Sequence, residues 1–81
     1  MIAKSDTLFK LILKCHKNHF KPDIHSFWVD IKNGRAYVEG RPDGVYLEWY
    51  DDSGNYKQCG TPVAIANKLD KLGAISSTVD M

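Results

Sequence analysis

The sequence predicts a two-layer α+β sandwich, in which a four-stranded antiparallel meander sheet carries two helices on one face in the order α-β-β-β-β-α. Apolar residues recur at three- and four-residue intervals in one segment near each end of the chain. Short alternating segments separated by turn sequences lie between them. The length of 81 residues allows one core, so we expect a single domain over residues 1–75 and a flexible tail over residues 76–81.

The first helix is expected to begin at Ser5 and Asp6 and to run to about His19. The serine oxygen can accept a hydrogen bond from a free amide, and an aspartate is favoured at the positive end of the helix dipole. Pro22 disfavours helical geometry in the residue before it, so it closes the segment. The predicted buried stripe consists of Leu8, Leu11, Ile12, Cys15 and His19.

Turn sequences define the four strands of the predicted sheet. Asn33 with Gly34 suits a type I′ hairpin, and Pro42 with Asp43 suits the centre of a type I turn. The segment 52–54 ends in a glycine and suits a bulged loop. The strands are predicted at about 27–31, 35–39, 45–50 and 55–59. Because each turn joins sequence neighbours, an antiparallel meander is the simplest arrangement.

The second helix has clear start and stop residues. Thr61 can cap the helix, and Pro62 suits its first position because the missing amide would have no partner there. Gly73 suits the left-handed position that follows the last turn, and the next two residues can pack back on that turn. The predicted buried stripe consists of Ile65, Ala66, Leu69 and Leu72.

The predicted register follows from the three turns. It places Ile31 opposite Ala36 in the first pair of strands and Val38 opposite Leu47 in the second. In the third pair, the bulged loop places Leu47 opposite Cys59 and Trp49 opposite Lys57. The predicted core of the sheet is then Phe27, Val29, Ile31, Ala36, Val38, Val45, Leu47, Trp49 and Cys59.

The other face of this sheet carries many aromatic residues, and neither helix is left to cover it. They can be cross-strand pairs that each stabilise the sheet by roughly 0.2–1 kcal/mol. They also have the composition of anchors in a protein interface. We favour the interface, with another protein or a second copy of the chain as partner. The candidate site is Trp28, Arg35, Tyr37, Glu39, Tyr46, Glu48, Tyr50 and Tyr56.

A nucleic-acid interface is the alternative function. Stacking of bases on the aromatic face is disfavoured, because Asp30, Glu39 and Glu48 outweigh Arg35 there. The first helix instead carries lysines at helical spacing, which either contact phosphates or form an ordinary solvated face. These lysines are Lys10, Lys14, Lys17 and Lys21.

Other functions find little support in the sequence. The set Cys15, His16, His19, His25 and Cys59 suggests zinc, but no CxxC pair exists and the predicted core accounts for both cysteines. No Gly-rich phosphate loop, Ser-His-Asp set or clustered carboxylate pair supports an enzyme, so we expect no enzyme, cofactor or metal. We expect a cytoplasmic protein without secretory signal or membrane segment. Its size is also that of many phage- or plasmid-encoded inhibitors and adaptors.

Overall fold

A computed structural model describes residues 3–80 of the chain and the side chains of residues 7–80. The elements are α1 (Ala3–Lys17), β1 (Ser26–Ile31), β2 (Gly34–Arg41), β3 (Gly44–Asp51), β4 (Gly54–Gly60), α2 (Pro62–Lys71) and β5 (Ile75–Asp80). The strands form one antiparallel sheet in the order β4-β3-β2-β1-β5. The α+β class, the antiparallel sheet and the two helices are as predicted. The prediction of four strands is wrong, because the sheet has five.

The fifth strand, β5, occupies most of the segment predicted to be a flexible tail. Gly73 has a φ of 76°, and the amides of Gly73 and Ala74 donate to the carbonyls of Asp70 (3.1 Å) and Leu69 (3.0 Å). This capping arrangement ends α2 as predicted and reverses the chain towards β1. The Asp30 amide then donates to Oγ1 of Thr78 at 2.8 Å, within the irregular pairing of β1 with β5.

Both helices pack on one face of the sheet, where they close the core. At the start of α2, Oγ1 of Thr61 accepts from the Ala64 amide at 3.2 Å, so the predicted cap is present. Gly40 of β2 lets the backbone of α1 approach the sheet directly, as a Cβ there would lie 2.8 Å from the Cα of His16. The buried core residues are Leu8, Ile12, Cys15, Phe27, Val29, Ile31, Ala36, Val38, Val45, Leu47, Trp49, Ile65, Ala66, Leu69 and Ala74.

The first helix differs from its predicted bounds at both ends. Ser5 and Asp6 lie inside α1, so Ser5 is not the N-cap. The helix ends at Lys17, before the predicted end at His19. Asn18, the residue after Lys17, donates hydrogen bonds to the Lys14 carbonyl at the end of the helix. Both the amide and the side-chain Nδ2 of Asn18 donate to that carbonyl, at 3.0 and 2.9 Å. Pro22 therefore follows a series of turns instead of ending the helix itself.

The register of β2 with β3 is as predicted, whereas that of β1 with β2 is shifted by two residues. Val38 pairs with Leu47 across the Pro42-Asp43 turn. In the first hairpin Ile31 pairs with Gly34, and not with Ala36. Gly34 is needed for close approach, since a Cβ there would overlap the carbonyl group of Tyr50 on β3. A shift of two residues keeps every side chain on its predicted face.

The register of β3 with β4 is shifted by one residue, and this shift turns β4 over. Asp51 pairs with Gly54, so the loop contains only residues 52 and 53 and no bulge. The Asp51 carboxylate closes this short loop by accepting from the amide and the hydroxyl of Ser53, at 2.8 and 2.6 Å. Side chains alternate between the faces of a sheet, so each β4 residue lies opposite to its predicted side.

Candidate functional site

The reversed β4 removes Tyr56 from the candidate site. Tyr56 pairs with Trp49 on the helix side of the sheet, where the two rings stack with centroids 5.4 Å apart. Cys59 pairs with Tyr46 and is exposed, so its assignment to the core is wrong. Lys57 pairs with Glu48 and likewise moves to the face away from the helices. The remaining predicted site residues all lie on that face.

The sheet face opposite the helices, termed the outer face below, is covered by none of the described residues of α1 or α2. Its middle row runs across four strands from Lys57 through Glu48 and Tyr37 to Trp28. The outer face carries Trp28, Asp30, Arg35, Tyr37, Glu39, Arg41, Tyr46, Glu48, Tyr50, Asn55, Lys57, Cys59 and Asp80.

Trp28 is the hub of an aromatic cluster on this face. Its ring centroid lies 5.1 Å from that of Tyr37 and 6.5 Å from that of Tyr50. The guanidinium carbon of Arg35 lies 5.2 Å from the indole centroid, and its Nε donates to the Asp30 carboxylate at 3.0 Å. Trp28 remains 37% exposed and Tyr50 42% exposed. The cluster therefore presents large rings to solvent while their neighbours hold them in place.

A second group surrounds Tyr46 and joins the cluster through Tyr37. The guanidinium carbon of Arg41 lies 4.1 Å from the Tyr46 centroid, and its Nε donates to Glu39 Oε2 at 3.0 Å. The other oxygen of Glu39 accepts from the Tyr37 hydroxyl at 2.7 Å. Tyr46 donates its own hydroxyl to Glu48 at 2.6 Å. All four aromatic residues thus belong to one connected surface.

The pKa shifts of these groups agree with their roles as donors and acceptors in the hydrogen bonds. The hydrogen bond from Tyr37 lowers the pKa of Glu39, and Arg41 acts in the same direction against the effect of burial. Burial raises the pKa of Tyr37, and the hydrogen bond to Glu48 raises that of Tyr46. At neutral pH both tyrosines therefore stay protonated as donors, and Glu39 stays ionised.

The outer face is more evenly charged than the sequence indicated. Arg41 lies on it because β2 is longer than predicted, and Lys57 because β4 is turned over. Sequence reasoning missed both residues. The signal for Arg41 was its even spacing from Arg35 and Tyr37 along one strand. With four carboxylates, Asp30, Glu39, Glu48 and Asp80, against Arg35, Arg41 and Lys57, the face still lacks the positive groove typical of nucleic-acid platforms.

The predicted lysine row lies in the helical layer, on the other side of the sheet. Lys10, Lys14 and Lys17 project from α1, and Lys21 lies in the turns that follow; all four are exposed. Two apolar side chains beside this row were not singled out from the sequence. Leu13 is 42% exposed and Phe20 is 68% exposed.

The two cysteines lie on opposite faces of the sheet. Cys15 lies on the buried side of α1, within the core, where burial raises its pKa to about 11. Cys59 is exposed on the outer face. Nδ1 of His19 lies 3.1 Å from the His16 carbonyl, and Nδ1 of His25 lies 3.1 Å from that of Lys21. Among the described residues, no three His, Cys, Asp or Glu side chains are grouped to hold a metal ion.

Comparisons with protein-family models, curated proteins and solved structures give no match to this chain. None of the described helices has the length and apolar character that crossing a membrane requires. Of the surfaces of the molecule, the outer face has the most distinctive composition, because it groups a tryptophan, three tyrosines and two arginines.

Proposed function

We propose that this protein is a small non-enzymatic binding module whose outer face docks onto another protein or a second copy of itself. The observation that carries the proposal is the connected cluster of Trp28, Tyr37 and Tyr50 on a sheet face that the helices leave open. Tryptophan, tyrosine and arginine are the residues that most often dominate binding energy in protein interfaces. Here an arginine stacks on the tryptophan within the same cluster.

The outer face is also pre-organised for binding. Ring contacts hold Trp28 from two sides, and hydrogen bonds to carboxylates fix the hydroxyls of Tyr37 and Tyr46. Immobilising a flexible side chain on binding costs about 0.5–1.5 kcal/mol, so side chains that are already ordered lose less. This face should therefore lose less side-chain entropy on binding than a set of mobile surface residues would.

If the rings only stabilise the sheet, removing one should lower folding stability and leave association unchanged. Cross-strand pairs stabilise a sheet by roughly 0.2–1 kcal/mol each, whether or not the rings form one exposed surface. Scattered apolar exposure needs no functional explanation, but a contiguous patch with a polar rim is typical of an interaction site. The two roles separate when folding stability and association are measured on the same variants.

The experiment compares Tyr50→Ala with Tyr56→Ala. The two tyrosines are equally exposed, at 42% and 41%, but they lie on opposite faces of the sheet. Self-association is measured by sedimentation, and any captured partner is identified, purified and titrated against each variant. We expect Tyr50→Ala to weaken association tenfold or more, the equivalent of about 1.4 kcal/mol, while Tyr56→Ala binds as the parent does.

Trp28→Ala and Tyr46→Ala extend the test across the face, and both should weaken association. Trp28→Ala should weaken association at least as much as Tyr50→Ala, because it removes the hub of the cluster. Circular dichroism and thermal unfolding check that each variant remains folded. If folded Trp28→Ala and Tyr50→Ala associate as the parent does, the rings serve only the stability of the sheet and the proposal is wrong.

A further inference from the structure

The exposed side of α1 and the turn after it form a second surface, independent of the outer face. Lys10, Lys14 and Lys17 lie on one side of the helix, because residues three and four apart are neighbours there. At a rise of about 1.5 Å per residue, this row is roughly 10 Å long. Successive lysines of the row are about 5–6 Å apart between their Cβ atoms, so these long side chains can each reach a separate phosphate of one strand.

The positive charges of Lys14, Lys17 and Lys21 are available to a ligand. Within residues 7–80, no carboxylate lies within ion-pairing distance of these three side chains. The helix dipole favours lysines in the last turn of α1, which accounts for Lys14 and Lys17. The dipole does not account for Lys21, which lies beyond the helix, or for the exposed ring of Phe20 beside Lys21.

Phe20 supplies the second observation. Its side chain is 68% exposed and lies outside the core cluster. The His19 ring contacts it edge-on with centroids 5.6 Å apart, and Nζ of Lys21 lies 5.7 Å from its centroid. A large exposed ring flanked by a lysine, at the end of a lysine row, combines the two elements that bind single-stranded nucleic acids: cations for the backbone and an aromatic face for a base.

We propose that this surface binds single-stranded nucleic acid, with the lysines on consecutive phosphates and one base stacked on Phe20. An anionic membrane is the competing ligand for a basic helix with apolar side chains. Interfacial helices bury a broad apolar face in the bilayer, but the apolar face of α1, including Leu8 and Ile12, is buried in the protein core. Of the large apolar side chains described on this surface, Leu13 and Phe20 are the exposed ones, which is too little for such insertion.

The test titrates a fluorescently labelled single-stranded oligonucleotide of mixed sequence with the whole protein at several salt concentrations. Lys14→Gln/Lys17→Gln/Lys21→Gln should weaken binding and reduce the slope of log affinity against log salt by about 0.7 for each phosphate that the variant no longer neutralises. Phe20→Ala should weaken binding about tenfold with little change in slope, since stacking is largely independent of salt. Lys32→Gln and Lys71→Gln, at exposed lysines outside both the α1 surface and the outer face, are the controls and should bind as the parent does.

Other outcomes would overturn the proposal. It is wrong if the parent does not bind the oligonucleotide at low salt, or if the controls lose as much affinity as the variants on the α1 surface. Equal competition by a duplex with the same number of phosphates would show general electrostatic attraction, because a duplex offers no unstacked base to Phe20. Binding to vesicles that contain phosphatidylserine, without binding to the oligonucleotide, would identify the membrane as the ligand.

Discussion

Gly40 is the point at which the packing of α1 on the sheet can be tested most directly. It lies on the buried face of β2, beneath the last turns of the helix. A Cβ added here would lie 2.8 Å from the Cα of His16 and closer still to the carbonyl of Cys15. Real Cβ atoms essentially never approach another heavy atom within 3.0 Å, so Gly40→Ala requires the helix to move.

The cost of this movement follows from what the added methyl group meets. Both neighbours are backbone atoms of α1, which cannot rotate away as the end of a flexible side chain can. Overpacking a core typically costs about 1–3 kcal/mol, and a clash with backbone belongs at the upper end of that range. For a domain of this size, about 3 kcal/mol lowers the Tm by roughly 12–24 °C.

Gly60→Ala is the control, measured by thermal and urea unfolding beside the parent and Gly40→Ala. Its Cβ would make ordinary contacts, 3.4 Å from Ala64 Cβ and 3.8 Å from Ile65 Cδ1. Because Gly60 does not have a positive φ, alanine there should be neutral or stabilise by up to about 1 kcal/mol. A Tm for Gly40→Ala within about 3 °C of the parent, which is under 1 kcal/mol for a domain this small, would show that α1 does not lie directly on Gly40.

Two further predictions concern titratable groups. A thiol reagent should modify Cys59 rapidly in the native protein and Cys15 only on unfolding, because Cys15 is buried and its pKa is raised to about 11. Equal reactivity of the two thiols would contradict the core assignment. Because Tyr37 and Arg41 lower the pKa of Glu39, its contribution to stability should be present above the ordinary carboxyl pKa and lost as the pH falls through the lowered value. Thermal unfolding of Glu39→Gln should therefore depend less on pH between about 5 and 3 than that of the parent, and an unchanged dependence would refute this assignment.

The sequence determined the parts of the fold that local chemistry specifies strongly. Apolar residues at helical spacing predicted both helices, and Thr61, Pro62 and Gly73 marked the start and end of α2. The Pro42-Asp43 turn, flanked by strands with one clear apolar face, gave the register of β2 with β3. A misplaced register there would expose an entire apolar set, so few alternatives compete.

The register of β4 was decided only by the tertiary structure. Its residues are mostly polar, and either of its faces can lie at the edge of a sheet without exposing many apolar side chains. The length of the preceding loop therefore decides the outcome, and the Asp51 contacts with Ser53 favour two residues over three. This one-residue difference in register places Tyr56 on the helix side of the sheet and places Lys57 and Cys59 on the outer face.

The fifth strand likewise depends on the rest of the fold. The sequence of β5, ISSTVD, lacks a strong alternating apolar pattern, so it gives little local signal of a strand. The segment forms a strand because Gly73 reverses the chain so that it runs beside β1. The edge of β1 provides backbone groups for it to bind, such as the Asp30 amide, which donates to Oγ1 of Thr78. The aromatic residues of the outer face were thus evident from the sequence, but their neighbours depend on strand pairing, which is set by long-range backbone hydrogen bonds and loop lengths.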